Sequence, residues 1–199
     1  MHNDMNRDHA DEFADYLEHP RFGRGPRMTD LEPPNNWGWH YLASGPERIP
    51  HTAVRADPER HVRTFPYAVE SYFDLRRVCR DCGRKFIFFA EEQKHWYEDL
   101  KLPLEADAVR CVGCRKAEQR IGRFRQRYEE LLAMTSRTAE ETLELVGAGL
   151  TLVDEGLFGF RVLEHMRAIL KSVPSGTDGA DEMRGRADDL LARVHAPDS

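Results

Sequence analysis

No stretch of this 199-residue chain approaches 18 uninterrupted apolar positions, so a membrane-spanning helix is not expected. The segment from Met1 to Asp15 is polar and acidic and has no hydrophobic run, which argues against a secretory signal and for a cytoplasmic protein. A glycine-rich phosphate loop, a GxSxG elbow and an HExxH pair are all missing, so nucleotide-loop chemistry, serine acyl transfer and zincin hydrolysis have no support. Cysteine is scarce: the chain has 4, and none stands alone.

Those four cysteines form two CxxC pairs, Cys79-Arg-Asp-Cys82 and Cys111-Val-Gly-Cys114, with 28 residues between them. This is the spacing of a tetrahedral four-thiolate metal site. Each pair places two sulfurs on one side of a tight turn, and Gly83 and Gly113 supply backbone freedom there. Four protein ligands leave no open position for water or substrate, so Zn2+ held by Cys79, Cys82, Cys111 and Cys114 is expected to be structural. Tetrahedral sulfur also serves iron, and zinc is the favoured ion. A redox CxxC is disfavoured because it leaves the second pair unexplained, and two disulfides lack the secretory context they need.

The formal net charge of -6 is unevenly spread. Residues 1–75 carry net -5, residues 76–127 net +6 and residues 128–199 net -7. The basic island surrounds the cysteines, with Arg80, Arg84, Lys85, Arg110, Arg115 and Lys116 closest in sequence. Offsetting the thiolate charge is the favoured reading of these residues; contact with nucleic acid or with a protein is the alternative.

Residues 1–66 hold eight prolines and read as an irregular arm, with a short helix expected from Asp11 to Leu17. Trp37, Trp39 and Tyr41 alternate in a short extended segment, either covering the core or forming a recognition surface. Tyr67 to Val78 is ambiguous between strand and helix. Phe86 to Phe89 reads as a strand, and Ala90 to Leu100 as a short helix with Trp96 and Tyr97 aimed inward. A longer helix is expected over Arg115 to Thr135, striped by Ile121, Phe124, Tyr128, Leu131 and Leu132. Thr138 and Glu141 make a capping-box pattern for the next helix. Further helices are expected over Leu157 to Val173 and Ala180 to Val194, giving a small antiparallel bundle. His95 reads as a partly exposed helix residue, and Glu91, Glu92, Glu98 and Asp99 as a solvated helix face.

The run Cys82-Gly83, Phe86 to Phe89, Glu92-Gln93, Trp96-Tyr97 and Arg110-Cys111 through Cys114-Arg115 resembles a zinc-ribbon or zinc-binding domain family of bacteria and plants. The resemblance covers about residues 76–120 and implies the same four cysteine ligands. The family is largely uncharacterised, so the resemblance implies a fold more than an activity.

The expected architecture is α+β. A small zinc-ribbon-like module of two CxxC knuckles, a short hairpin and a helix (67–116) follows the irregular arm (1–66) and joins a C-terminal helical bundle (117–199). The expected function is that of a non-enzymatic zinc-binding adaptor that recognises another macromolecule, with protein favoured over nucleic acid on net acidity. The first alternative is a nucleic-acid-binding zinc-ribbon protein, transcription- or translation-related, which needs Arg84, Arg120, Arg123 and Arg127 on its contact surface. The second is an enzyme with a site away from the zinc.

Overall fold

A computed structural model describes residues 12–31, 47–62, 69–174 and 176–195. Trp37, Trp39 and Tyr41 lie outside the described residues. The chain divides into two compact units, Met1–Arg115 and Lys116–Ser199.

In the first unit, β1 (Val54–Arg55) pairs antiparallel with β2 (Ser71–Tyr72), setting Val54 opposite Tyr72. The hairpin of β3 (Leu75–Val78) and β4 (Lys85–Phe88) pairs Leu75 with Phe88 and Val78 with Lys85. The ambiguous segment before the first cysteine pair is thus two short strands over its described part. Successive side chains of a strand point to opposite faces, and here both faces are buried. Phe86 and Phe88 pack with Leu75, Cys79, Ala108 and Cys111, while Ile87 and Phe89 pack with Phe13, Tyr16 and Ile49. That explains why 86–89 is apolar without alternation. Both hairpin edges are covered: Leu17 donates its N–H to Lys85 O at 2.8 Å, and Ile49 to Asp74 O at 2.9 Å. The segment Phe13–Asp15 is a turn, and the helix expected through Leu17 does not extend across it.

Helix α1 (Ala90–Lys94) follows β4 and runs on into a π-helical turn, His95–Asp99. The wider turn shifts the phase of the side chains that follow. Tyr97 and Glu98 both become buried, and the Glu92 side chain is left 12% exposed, so the expectation of a solvated carboxylate face is corrected at Glu92 and Glu98. Buried Gln93 donates its amide to Phe73 O at 2.6 Å and Phe88 O at 3.0 Å, tying α1 to the hairpin.

Helix α2 (Val112–Ala133) begins inside the second cysteine pair, three residues before the expected start. The Arg115 N–H bonds to Cys111 O at 3.0 Å and closes the first turn around both cysteines. This corrects the zinc-ribbon expectation. A ribbon takes both knuckles from β-hairpins, whereas here only the first pair lies in a hairpin turn and the second opens a helix. Cys111 to Cys114 can be helical because the i, i+3 spacing of a helix also sets two side chains on one face.

The second unit holds the bundle. Helix α3 (Ala139–Asp154) starts at a complete capping box: the Glu141 N–H donates to Thr138 Oγ1 at 3.1 Å, and the Thr138 N–H to Glu141 Oε2 at 2.8 Å. It ends at Gly156, whose φ of +71° favours glycine. Helix α4 (Phe160–Leu170) is shorter than the expected 157–173, because the N–H groups of Leu157 and Phe158 bond back to Leu152 O and close α3. Helix α5 (Ala180–His195) completes the unit. Tyr128, Leu131, Leu145, Leu150, Leu152, Leu163, Met166 and Leu190 form its core. Gly149 lets α3 approach closely: a Cβ there would lie 2.6 Å from Met166 Sδ and 3.2 Å from the Tyr128 ring. No helix among the described residues is long and apolar enough to cross a membrane.

Candidate metal centre

The hairpin places Cys79 just after β3 and Cys82 in the turn that leads to β4. The Cys79 N–H donates to Arg84 O and the Gly83 N–H to Cys79 O, each at 2.9 Å, and Gly83 takes a φ of +69°. The first turn of α2 supplies Cys111 and Cys114. Two contacts join the pairs: the Arg80 N–H reaches Val109 O at 2.9 Å, and Arg110 Nε reaches Asp81 Oδ2 at 2.8 Å.

All four sulfurs lie within 4.8 Å of one another, and Cys82 Sγ is 4.0 Å from Cys111 Sγ. A tetrahedron with zinc–sulfur bonds of about 2.3 Å has edges of about 3.8 Å. The cluster is therefore suited to hold a single metal ion and fits a structural Zn2+. Cys79 and Cys111 are buried, Cys114 is half-buried and Cys82 is exposed.

The thiol electrostatics fit the same ion. Burial opposes ionisation of Cys79, but N–H groups of Cys82, Cys111 and Asp81 outweigh it and bring the thiol down to about 6. Arg84, through its backbone N–H and its side chain, holds Cys82 below the ordinary thiol value. Burial pushes Cys111 up. Sulfur hydrogen bonds to Cys111 and Cys79 push Cys114 up to about 12. Four sulfurs this close cannot all ionise unaided, and a divalent cation at their centre removes that penalty.

Of the basic island, Arg110 is paired with Asp81, Lys85 with Asp15 at 2.8 Å and Arg115 with Glu92 at 2.5 Å. Of the arginines that a nucleic-acid surface would need, Arg120, Arg123 and Arg127 lie on α2 and Arg84 lies in the hairpin turn. Arg84 is exposed beside Cys82, and Arg123 is exposed on α2. Arg120 is paired with Glu155, and Arg127 makes a two-pronged pair with Glu144 at 2.7 and 2.6 Å. His95 is half exposed and bonds Asp99 at 2.8 Å, as its helix position suggests.

Two buried carboxylates, Asp74 and Glu98, and the half-buried Glu92 carry structure that local sequence patterns do not signal. Asp74 accepts the N–H of Arg27 and that of Ala90, each at 2.7 Å. Glu92 meets Arg115, and burial lifts its carboxyl above the usual range against the pull of that guanidinium. Glu98, 1% exposed, accepts the Asp57 N–H at 2.8 Å and the Tyr72 hydroxyl at 3.3 Å. These hydrogen-bond partners stand 16 to 47 residues away in sequence, outside any local window, whereas Lys94, 3.4 Å from Glu98 Oε2, stands at i, i+4.

A hairpin turn and a helix N-terminus converging on one four-cysteine centre define a treble-clef zinc-binding module rather than a zinc ribbon. Residues 73–123 match the family described as "Probable treble clef domain". No curated protein and no solved structure matches the chain.

Proposed function

We propose that this protein is a non-enzymatic adaptor in which Cys79, Cys82, Cys111 and Cys114 hold a structural Zn2+, and that it recognises another protein. The observation that carries the reading is the closed donor set. Four sulfurs within 4.8 Å saturate a tetrahedral ion, so the metal has no position left for substrate and its contribution is to the fold. The module then displays surfaces rather than a reaction centre. Protein is favoured over nucleic acid as partner because Arg120 and Arg127 are already neutralised by Glu155 and Glu144, and the chain is acidic overall.

The test pairs elemental analysis with capture. The full chain is expected to carry one zinc per molecule. It is expected to retain a defined protein from native cytosol that a Cys111→Ser variant does not retain. Nucleic-acid binding that weakens steeply with salt, with a slope requiring several phosphate contacts, would replace this reading with the nucleic-acid one. A chain purified with iron, or with no metal, would overturn the zinc assignment.

A further inference from the structure

We infer that Arg115 and Glu92 are positioning residues for the metal, and that with Trp96 they clamp the second cysteine pair in register with the first. The inference rests on the reading of the four cysteines as zinc ligands.

The two ligand pairs come from different elements, so a preformed site needs their relative placement to be held. The hairpin sets the first pair through its own backbone bonds. The second pair sits in one helical turn, closed by the bond from the Arg115 N–H to Cys111 O at 3.0 Å. The side chain of that same Arg115 leaves the turn and reaches Glu92 Oε1 at 2.5 Å, while its guanidinium lies 4.8 Å over the Trp96 ring. Trp96 rests on Phe88 of β4, ring centroids 5.0 Å apart. Glu92 is placed by its neighbour Gln93, whose amide is bonded to the backbone of Phe73 and Phe88. A continuous path of contacts thus runs from β4 through α1 to the turn that carries Cys111 and Cys114.

The chemistry of the pair fits this role. The Arg115 and Glu92 side chains are 18% and 12% exposed, so the ion pair is largely removed from water. Glu92 Oε2 is buried without a hydrogen bond among the described residues and has His19 Nε2 3.8 Å away, so the bond from Arg115 to Oε1 is the direct compensation of the carboxylate. A planar guanidinium can bond a carboxylate in its plane and stack an aromatic ring on its face at the same time. An ammonium group has no plane to lie flat on the ring, so it reproduces the bond to the carboxylate but not the stacked geometry. This accounts for Glu92, Trp96 and Arg115 within the sequence motif: they place the ligands, as hydrogen-bonded partners of ligating groups do at metal sites.

The experiment uses the full chain. Zn2+ affinity is measured by competition with a chromophoric chelator, and the ligand-field spectrum is recorded at saturating Co2+. Arg115→Gln and Arg115→Lys are each expected to weaken Zn2+ binding about 10–100-fold. Glu92→Gln is expected to weaken it less, and the double variant Glu92→Gln with Arg115→Gln no more than Arg115→Gln alone. The Co2+ bands of the Arg115 variants should shift or broaden at saturation. Thr29→Ala, which removes a hydrogen bond to Ala53 O at 2.9 Å in the same unit and touches none of the clamp residues, should keep the wild-type bands. Arg115→Lys within twofold of wild type would show that charge alone matters and would overturn the clamp. Strictly additive losses in the double variant would overturn it too. A wild-type chain that bound no Zn2+ would sink the zinc reading itself, whereas wild-type binding with unaltered Arg115 variants would sink only the clamp.

Discussion

Replacing Asp74 by Asn should remove a defined part of the pH dependence of stability. Asp74 is fully buried, and its two carboxylate oxygens accept the N–H groups of Arg27 and Ala90, each at 2.7 Å. Helix α1 has no side-chain cap of its own, so Asp74 caps it from the hairpin. Burial raises the carboxyl from 3.8 to about 6 and outweighs the two N–H bonds, which pull the other way. A carboxyl raised on folding adds stability that is fully present below the unfolded value of 3.8 and is lost as pH rises through about 6. A shift of about two units corresponds to about 3 kcal/mol over the whole titration. Between pH 4.5 and 7.5 the wild-type chain should lose about 2 kcal/mol of stability that Asp74→Asn does not lose. The assay is urea unfolding of both proteins in excess Zn2+ across that range, read as the difference between them, so that acid effects on the cysteines cancel. A difference that stays flat across the range, or grows in favour of wild type with rising pH, would refute the reasoning. Asp74→Ala is expected to be destabilising even at pH 5, because each of two buried N–H groups left without a partner costs about 1–3 kcal/mol.

Cys79→Ser or Cys111→Ser should release the metal and unfold the region 76–116, seen as loss of bound zinc with loss of protection from hydrogen exchange there; full metal content and unchanged melting would count against the structural role. Gly149→Val should lower the stability of the helical unit by about 1–3 kcal/mol, since even a Cβ meets Met166 and Tyr128. A melting temperature equal to wild type would show that α3 and α4 can separate freely. Thr138→Ala should cost about 1 kcal/mol by removing the capping box at the start of α3, measured by denaturant midpoint.

Local pattern was enough to read the elements that depend on near neighbours. The stripe through Ile121, Phe124, Tyr128 and Leu131 and the Thr138–Glu141 cap are set by spacings of three to four residues, and both occur where the sequence places them. The run Phe86–Phe89 was legible as a strand, since no partner is needed to see its β propensity. The four cysteines were legible as one centre because their spacing leaves few other arrangements. The type of module was not legible. Two CxxC pairs look alike in sequence, and only the fold decides that Cys79 and Cys82 lie in a hairpin turn while Cys111 and Cys114 open a helix. The buried carboxylates were equally hidden. Glu98 turns inward because of a π-helical turn that no local spacing announces, and it meets Asp57, 41 residues earlier in the chain.

The sequence alone therefore determined the chemistry available: four thiols that can close around one ion, an acidic helical tail and a basic middle. Tertiary structure decided how that chemistry is used. It brings Arg115 to Glu92 across 23 residues and carries Asp74 to the start of α1, so that charges which composition would leave in water are buried and paired. The physical reason is range: propensity and capping act within a few residues, whereas burial and ion pairing depend on which distant segments the fold brings together.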